Sequence, residues 1–130
     1  LKEQNLVVEK LTMKTSTDSV KGAIYVVDAG ARKALTTDVG PYYMALEDLD
    51  YSEVTAYTAM FVKQGYVEVN ASLAGGAVEK GDYLGVTSTS GSVALLTVTA
   101  GSNEAQIVGV AEEAALTTDT TIKMTIGQAP

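Results

Sequence analysis

Apolar and polar positions alternate through "VTAYTAMFVKQGYVEV", residues 54–69. In an extended chain Val54, Ala56, Thr58, Met60 and Val62 share one face, and Thr55, Tyr57, Ala59, Phe61 and Lys63 the other. The density of Thr, Tyr, Val and Phe favours a strand over a helix. Gln64-Gly65 predicts a bend or bulge, after which the strand continues over 66–69.

Similar signals recur from Gly22 onward. Ile24-Tyr25-Val26-Val27 is β-branched and aromatic, Asp28-Ala29-Gly30 is a turn, and Ala34-Leu35-Thr36 begins a return strand. In "DVGPYYMALEDLD", Asp38 and Pro41 suit a helix start. The adjacent tyrosines after Gly40-Pro41 favour a strand over 42–46, and that is the reading adopted. Further on, 83–86 reads as a strand, 88–92 as a turn, 93–99 as a strand and 100–103 as a loop. Residues 106–110 read as a strand, 111–116 as a helical turn and 120–126 as a strand alternating Thr with apolar residues.

The order of these pieces repeats. Lys21-Gly22 matches Lys80-Gly81, Gly30 matches Gly91, and Ala34-Leu35 matches Ala94-Leu95. "MALED" at 44–48 resembles "VGVAEE" at 108–113, and "FVK" at 61–63 matches "TIK" at 121–123. Duplication explains this order, and so do hairpin units of one barrel forced into similar patterns. A set of curled hairpins exposes an apolar face and unpaired edges, and two sets together bury one core. The repeat is therefore architectural. The expected fold is mainly β: a small β-barrel or β-sandwich of two similar hairpin-rich halves, with pseudo-repeats over about 21–73 and 80–127. Ala74-Gly75-Gly76-Ala77 reads as the flexible connection between them.

Residues 1–20 differ from the rest. An apolar patch at Leu6, Val7, Val8 and Leu11 precedes the Ser/Thr/Asp stretch at 15–19. This reads as an extended N-terminal arm, loosely held, joined near Lys21 to a single β domain at 21–130. An unpaired apolar strand can add to an open sheet edge of a partner, so these four residues are the candidate partner-binding set.

Composition narrows the chemistry. With 130 residues and 46% hydrophobic residues the chain can bury a real core. Histidine, cysteine and tryptophan are absent, which removes the commonest general bases, nucleophiles and transition-metal ligands. The net charge is −7, and Arg32 is the lone arginine among scattered lysines, so phosphate-backbone binding is not expected. No apolar run approaches transmembrane length, and the first residues lack a signal peptide's apolar core.

The remaining constellations read as ordinary structure. Glu47, Asp48, Asp50 and Glu53 would suit a Ca²⁺ loop in number, but the glycine and terminal spacing of such a loop are missing. A solvated acidic turn is the better reading. Glu112 and Glu113 are adjacent and point apart. Ser88, Ser90 and Ser92 around Gly91 are turn chemistry, although Lys80 is in the same half. "SLAGGAVEKGD" lacks a phosphate-loop pattern. No catalytic, cofactor or metal residue is assigned. The seven tyrosines against one phenylalanine suit interface or sugar-facing positions, Tyr42, Tyr51 and Tyr57 above all.

The stretch from Lys21 through "PYYMALED" and "AMFVKQGYVEVNASL" resembles the head decoration (capsid cement) proteins of tailed bacteriophages, the family of the phage lambda head decoration protein. "AVEKGDYLGVTSTSGSVALLT" and "AQIVGVAEEA" resemble the Gly-Asp hairpin and "V-G-V-A" strand of such domains. The resemblance covers roughly 20–126 and rests on strand patterns and glycines. The Pro-rich arm of the lambda type is missing. It implies a β-clip-like, non-enzymatic structural protein, made in the host cytoplasm and carried on the outer capsid surface of the virion. Its implied partners are the major capsid protein and two further copies in a homotrimer, with no nucleic acid, membrane or cofactor. The alternative is a small carbohydrate- or protein-binding β module, and a hydrolase using the 47–53 acids is a third reading.

Overall fold

The computed structural model describes residues 6–50, 58–87 and 91–127. Among these lie nine strands: β1 (Val7–Thr12), β2 (Ile24–Val27), β3 (Ala31–Lys33), β4 (Tyr43–Ala45), β5 (Thr58–Asn70), β6 (Tyr83–Val86), β7 (Val93–Leu95), β8 (Gly109–Ala111) and β9 (Thr121–Ile126). A 3₁₀ turn spans Glu104–Gln106, and no described helix is long and apolar enough to cross a membrane.

The strands form one curled antiparallel sheet in the order β3-β2-β4-β5-β9-β8-β6-β7, with β1 also paired to β5. The order is a palindrome: β2, β3 and β4 stand to the first half of β5 as β6, β7 and β8 stand to β9. The register makes the match residue by residue. Tyr25 pairs with Lys33 and Tyr43, and Leu84 pairs with Leu95 and Gly109. Ala45 pairs with Phe61, and Ala111 with Met124.

Backbone hydrogen bonds repeat on the same mapping. The Gly22 N–H donates to the Ala45 carbonyl at 2.9 Å, and the Gly81 N–H to that of Ala111 at 2.8 Å. Ser19 and Leu49 exchange two bonds, as do Val78 and Ala115. Leu46 donates to Met60 as Glu112 donates to Lys123. This mapping revises three of the sequence matches: Phe61 corresponds to Met124 rather than Thr121, Ala34 to Leu96 rather than Ala94, and Gly30 to Ser92 rather than Gly91. At Gly30 and Ala34 the shift arises because the hairpin between β6 and β7 is longer than that between β2 and β3, and at Phe61 the unequal connections on either side of β4 and β8 add to it.

The repeat starts earlier than expected: the described part of the expected arm, residues 6–20, is not detached but lies on the barrel. β1 lies along β5 from Val8–Val62 to Thr12–Thr58, as the far half of β5 lies along β9 from Tyr66–Thr125 to Asn70–Thr121. Beyond β1, Met13 bridges Ala31 in parallel, and beyond β5, Ala71 bridges Val93 in parallel. Residues 8–20 are thus the counterpart of 66–79. They are held because Met13 is buried and Leu11 packs on the same cluster. Each ring of five strand segments closes through its single parallel bridge, giving a small barrel. The link between repeats is β5 itself, which runs unbroken from one barrel into the other. The 74–77 segment belongs inside the second repeat. The expected bulge lies at the crossing, where the register slips opposite Gln64.

Two clusters fill the interior. The first repeat stacks Tyr25 on Phe61 edge-on, centroids 5.2 Å apart, and surrounds them with Ala23, Ala31, Ala45 and Ala59. The second repeat puts middle-sized side chains at the matching places: Leu84, Met124, Val93 and Ile122. Large beside small in one barrel and medium throughout in the other both reach dense packing. The opposite face of the first sheet, with Ile24, Val26, Met44 and Val62, joins the second repeat's core.

Other departures have local causes. The strand expected over 93–99 ends at Leu95, because the Asn103 side chain binds the Thr99 N–H and the Thr97 carbonyl and holds this stretch as a loop. The strand expected over 106–110 starts only at Gly109. The helical turn expected over 111–116 is extended, drawn out by the paired bonds of Ala115 with Val78.

Candidate functional site: the β1 edge and the cavity between repeats

β1 and the residue before it, Leu6, carry the candidate partner-binding set. Leu6 packs against the larger core and Leu11 against the smaller one. Val7 and Val8 are exposed, at 39% and 43%. One edge of β1 is used by β5, and among the described residues the other meets β3 only through the Met13–Ala31 bridge. An edge strand with exposed valines and few lateral bonds is a template for an added strand. The structure therefore turns the expected geometry round: β1 is not a free strand seeking an edge but an edge to which a partner strand can add.

Glu47, Asp48, Glu112 and Glu113 accept hydrogen bonds from backbone and hydroxyl groups. Glu47 accepts the Met60 N–H at 2.9 Å, and Glu113, at the matching place of the second repeat, accepts the Lys123 N–H at 3.3 Å. Asp48 accepts the Lys21 N–H, and Glu112 the Thr125 hydroxyl. Glu47, Glu112 and Glu113 thus hold the neighbouring strand where β4 and β8 leave the sheet, and Asp48 holds the turn before β2. Glu53, Tyr51, Tyr57, Ser88 and Ser90 lie outside the described residues.

Tyr42 does not present its ring to solvent. It is buried, and its hydroxyl donates to the Asp38 carbonyl at 2.7 Å. Burial, with the nearby Asp38 charge, pushes its pKa up to about 12. Sequence reasoning missed the reason that loop is ordered. Arg32 grips the Asp38 carboxylate with two nitrogens at 2.8 and 2.9 Å and reaches Asp28 at 3.2 Å. The same carboxylate caps the Leu35 N–H at 2.7 Å. The Arg32 fork, chiefly, holds the Asp38 carboxyl below the usual range, and the guanidinium is held more firmly protonated by Asp38 and then Asp28. Arg-x₅-Asp is a common spacing, so the chain offers no sequence signal for this pair.

Between the repeats opens a cavity of about 630 Å³. Pro41 and Tyr42 from the first repeat face it, and Ile107 and Val108, their counterparts, face it from the second. Tyr43, Lys63, Gln64 and Glu104 supply its polar groups. The loop positions are tied across the junction: Gly40 donates to the Ala105 carbonyl, and the Gln106 side chain to that of Thr36. Gln64 is matched by Gly127, whose hypothetical Cβ would fall 1.9 Å from the Lys63 carbonyl oxygen. Only glycine lets the two strand ends come this close.

No family model and no curated protein sequence matches the chain. Among solved structures, its fold is similar to that of the head fibre gp8.5 N base of bacteriophage phi29. The TM-score is 0.61, covering 92% of this chain and 94% of that one. The two sequences are 15% identical, so what they share is a fold.

Proposed function

We propose that this chain is a non-enzymatic structural protein of a bacteriophage virion, made in the host cytoplasm and seated on the outer capsid surface. The observation that carries the reading is the near full-length similarity of fold to a phage head fibre base. The strand and glycine pattern that resembles head decoration proteins points the same way. The described carboxylates of 47–48 and 112–113 hold backbone and hydroxyl groups, which is a structural use. A charge of −7 suits a virion exterior better than contact with packaged DNA.

In this reading the protein bridges neighbouring copies of the major capsid protein as a homotrimer, and the β1 edge with Val7 and Val8 is the contact. A ligand that binds only the assembled shell stabilises that shell by mass action. Co-sedimentation with emptied heads of the phage that encodes the chain tests it. Saturable binding that raises the temperature of head disruption is expected, and heads that sediment without the protein at saturating concentration would refute it.

A further inference from the structure

We infer that the cavity between the two repeats is a binding site for a neutral saccharide. This goes beyond the capsid-anchoring role, and the cavity adjoins the β1 strand, since Gln64 pairs with Val7 and Lys63 with Glu9. The cavity lies at the junction of two packed units and is of a size typical for small-ligand sites. Its walls are apolar where the repeats face each other: Pro41 and Tyr42 on one side, Ile107 and Val108 on the other. Its rim carries four polar side chains of complementary kinds.

Charge selects the ligand class. Lys63 and Glu104 bring one charge of each sign, so the rim favours neither anion nor cation. Both are already anchored: Lys63 to Glu9 at 3.3 Å, and Glu104 to the Gly101 N–H at 2.7 Å. They stay in place as oriented donor and acceptor. An anionic ligand would in addition meet the field of a chain with net charge −7. The Tyr43 hydroxyl and the Gln64 amide make no hydrogen bond among the described residues, and both line the cavity. A ligand that satisfies them must donate and accept.

Sugar hydroxyls do both, and the C–H faces of a pyranose fit apolar walls. A purely apolar ligand that covered the Tyr43 hydroxyl and the Gln64 amide would take water from both and give no hydrogen bond in return. A neutral saccharide satisfies the walls and the rim together. The cavity forms where matching positions from the two halves meet, with Gly127 in place of a second Gln64.

Protein-observed NMR titration of the full chain tests the site. The probes are neutral trisaccharides built on glucose, galactose and N-acetylglucosamine, with trigalacturonate as the anionic control. At least one neutral probe should saturate, with shifts centred on Tyr43, Gln64 and Val108, and bind tenfold or more tighter than trigalacturonate. The double variant Tyr43→Phe/Gln64→Ala keeps the ring that packs on Phe61 and should weaken that probe tenfold or more. Leu116→Ala, exposed and off the cavity, should leave affinity unchanged. Failure of all three neutral probes to saturate at millimolar concentration, shifts centred elsewhere, or unchanged affinity in the double variant would overturn the assignment. None of these outcomes bears on head binding, which is read separately.

Discussion

Gly22 and Gly81 occupy one position in two copies of the same small barrel. Both have positive φ, +87° and +95°, and both donate to the alanine carbonyl that ends the facing strand. They differ in what lies above them. A Cβ on Gly22 would fall 2.9 Å from the Asn70 Oδ1 atom, whereas Gly81 has open space. The first barrel is covered at this point by the second, and the second is bare. Gly81→Ala should therefore cost the left-handed strain alone, about 1 kcal/mol. Gly22→Ala adds a displaced Asn70 and should cost about 2 kcal/mol or more. Urea unfolding of the two variants checks the order, and equal costs would contradict the mapping.

The first strand is part of the fold. Met13 is buried and bridges the barrel shut, so Met13→Ala should lose on the order of 2–4 kcal/mol. Removing residues 1–14 should leave a chain that does not unfold cooperatively. Val8→Ser, on the exposed face, should stay within about 0.5 kcal/mol of the parent. Calorimetry of the three proteins separates these outcomes.

Arg32 and Asp38 give a defined acid response. The folded Asp38 carboxyl lies below its ordinary value, so its contribution is complete above the unfolded pKa, about 4. It is lost as pH falls through the lower folded value. The pair is partly exposed, with side chains at 23% and 17%, so the effect is about 1 kcal/mol after screening. Arg32→Lys removes the two-pronged geometry and should flatten this acid limb. Stability curves from pH 5 to pH 2 read the difference.

Tyr42 gives the alkaline counterpart. Its folded pKa is raised to about 12 from 10, so its contribution is complete below pH 10 and falls as pH rises toward 12. The loss is on the order of 2 kcal/mol. Tyr42→Phe should be less stable at neutral pH, because a hydroxyl bonded to the Asp38 carbonyl is gone, yet show a shallower decline above pH 10. Parallel slopes for the two proteins would contradict the assignment.

Much of the fold is legible in the chain because β-branched and aromatic runs mark strands whatever their partners. Ile24–Val27, Tyr43–Ala45, Tyr83–Val86 and Thr121–Ile126 fall where the pattern puts them. The Lys-Gly pairs also read correctly as matching points, since a left-handed turn needs glycine at both. What the chain hides is pairing. Val7–Thr12 has the composition of an arm, and its place in the barrel is set by β5, some fifty residues away. Phe61 and Met124 do not look alike, and their equivalence appears only through the register with Ala45 and Ala111. The cavity was hidden for the same reason: Tyr43, Gln64 and Glu104 are far apart in sequence, and no spacing rule joins them.

Cryo-electron microscopy of emptied phage heads reconstituted with this protein tests the central claim most directly. The account predicts ordered density outside the shell at recurring symmetry positions, three copies to a site, with Val7 and Val8 of β1 facing the capsid subunits. A map with no added density on the outer surface at saturating protein would contradict it.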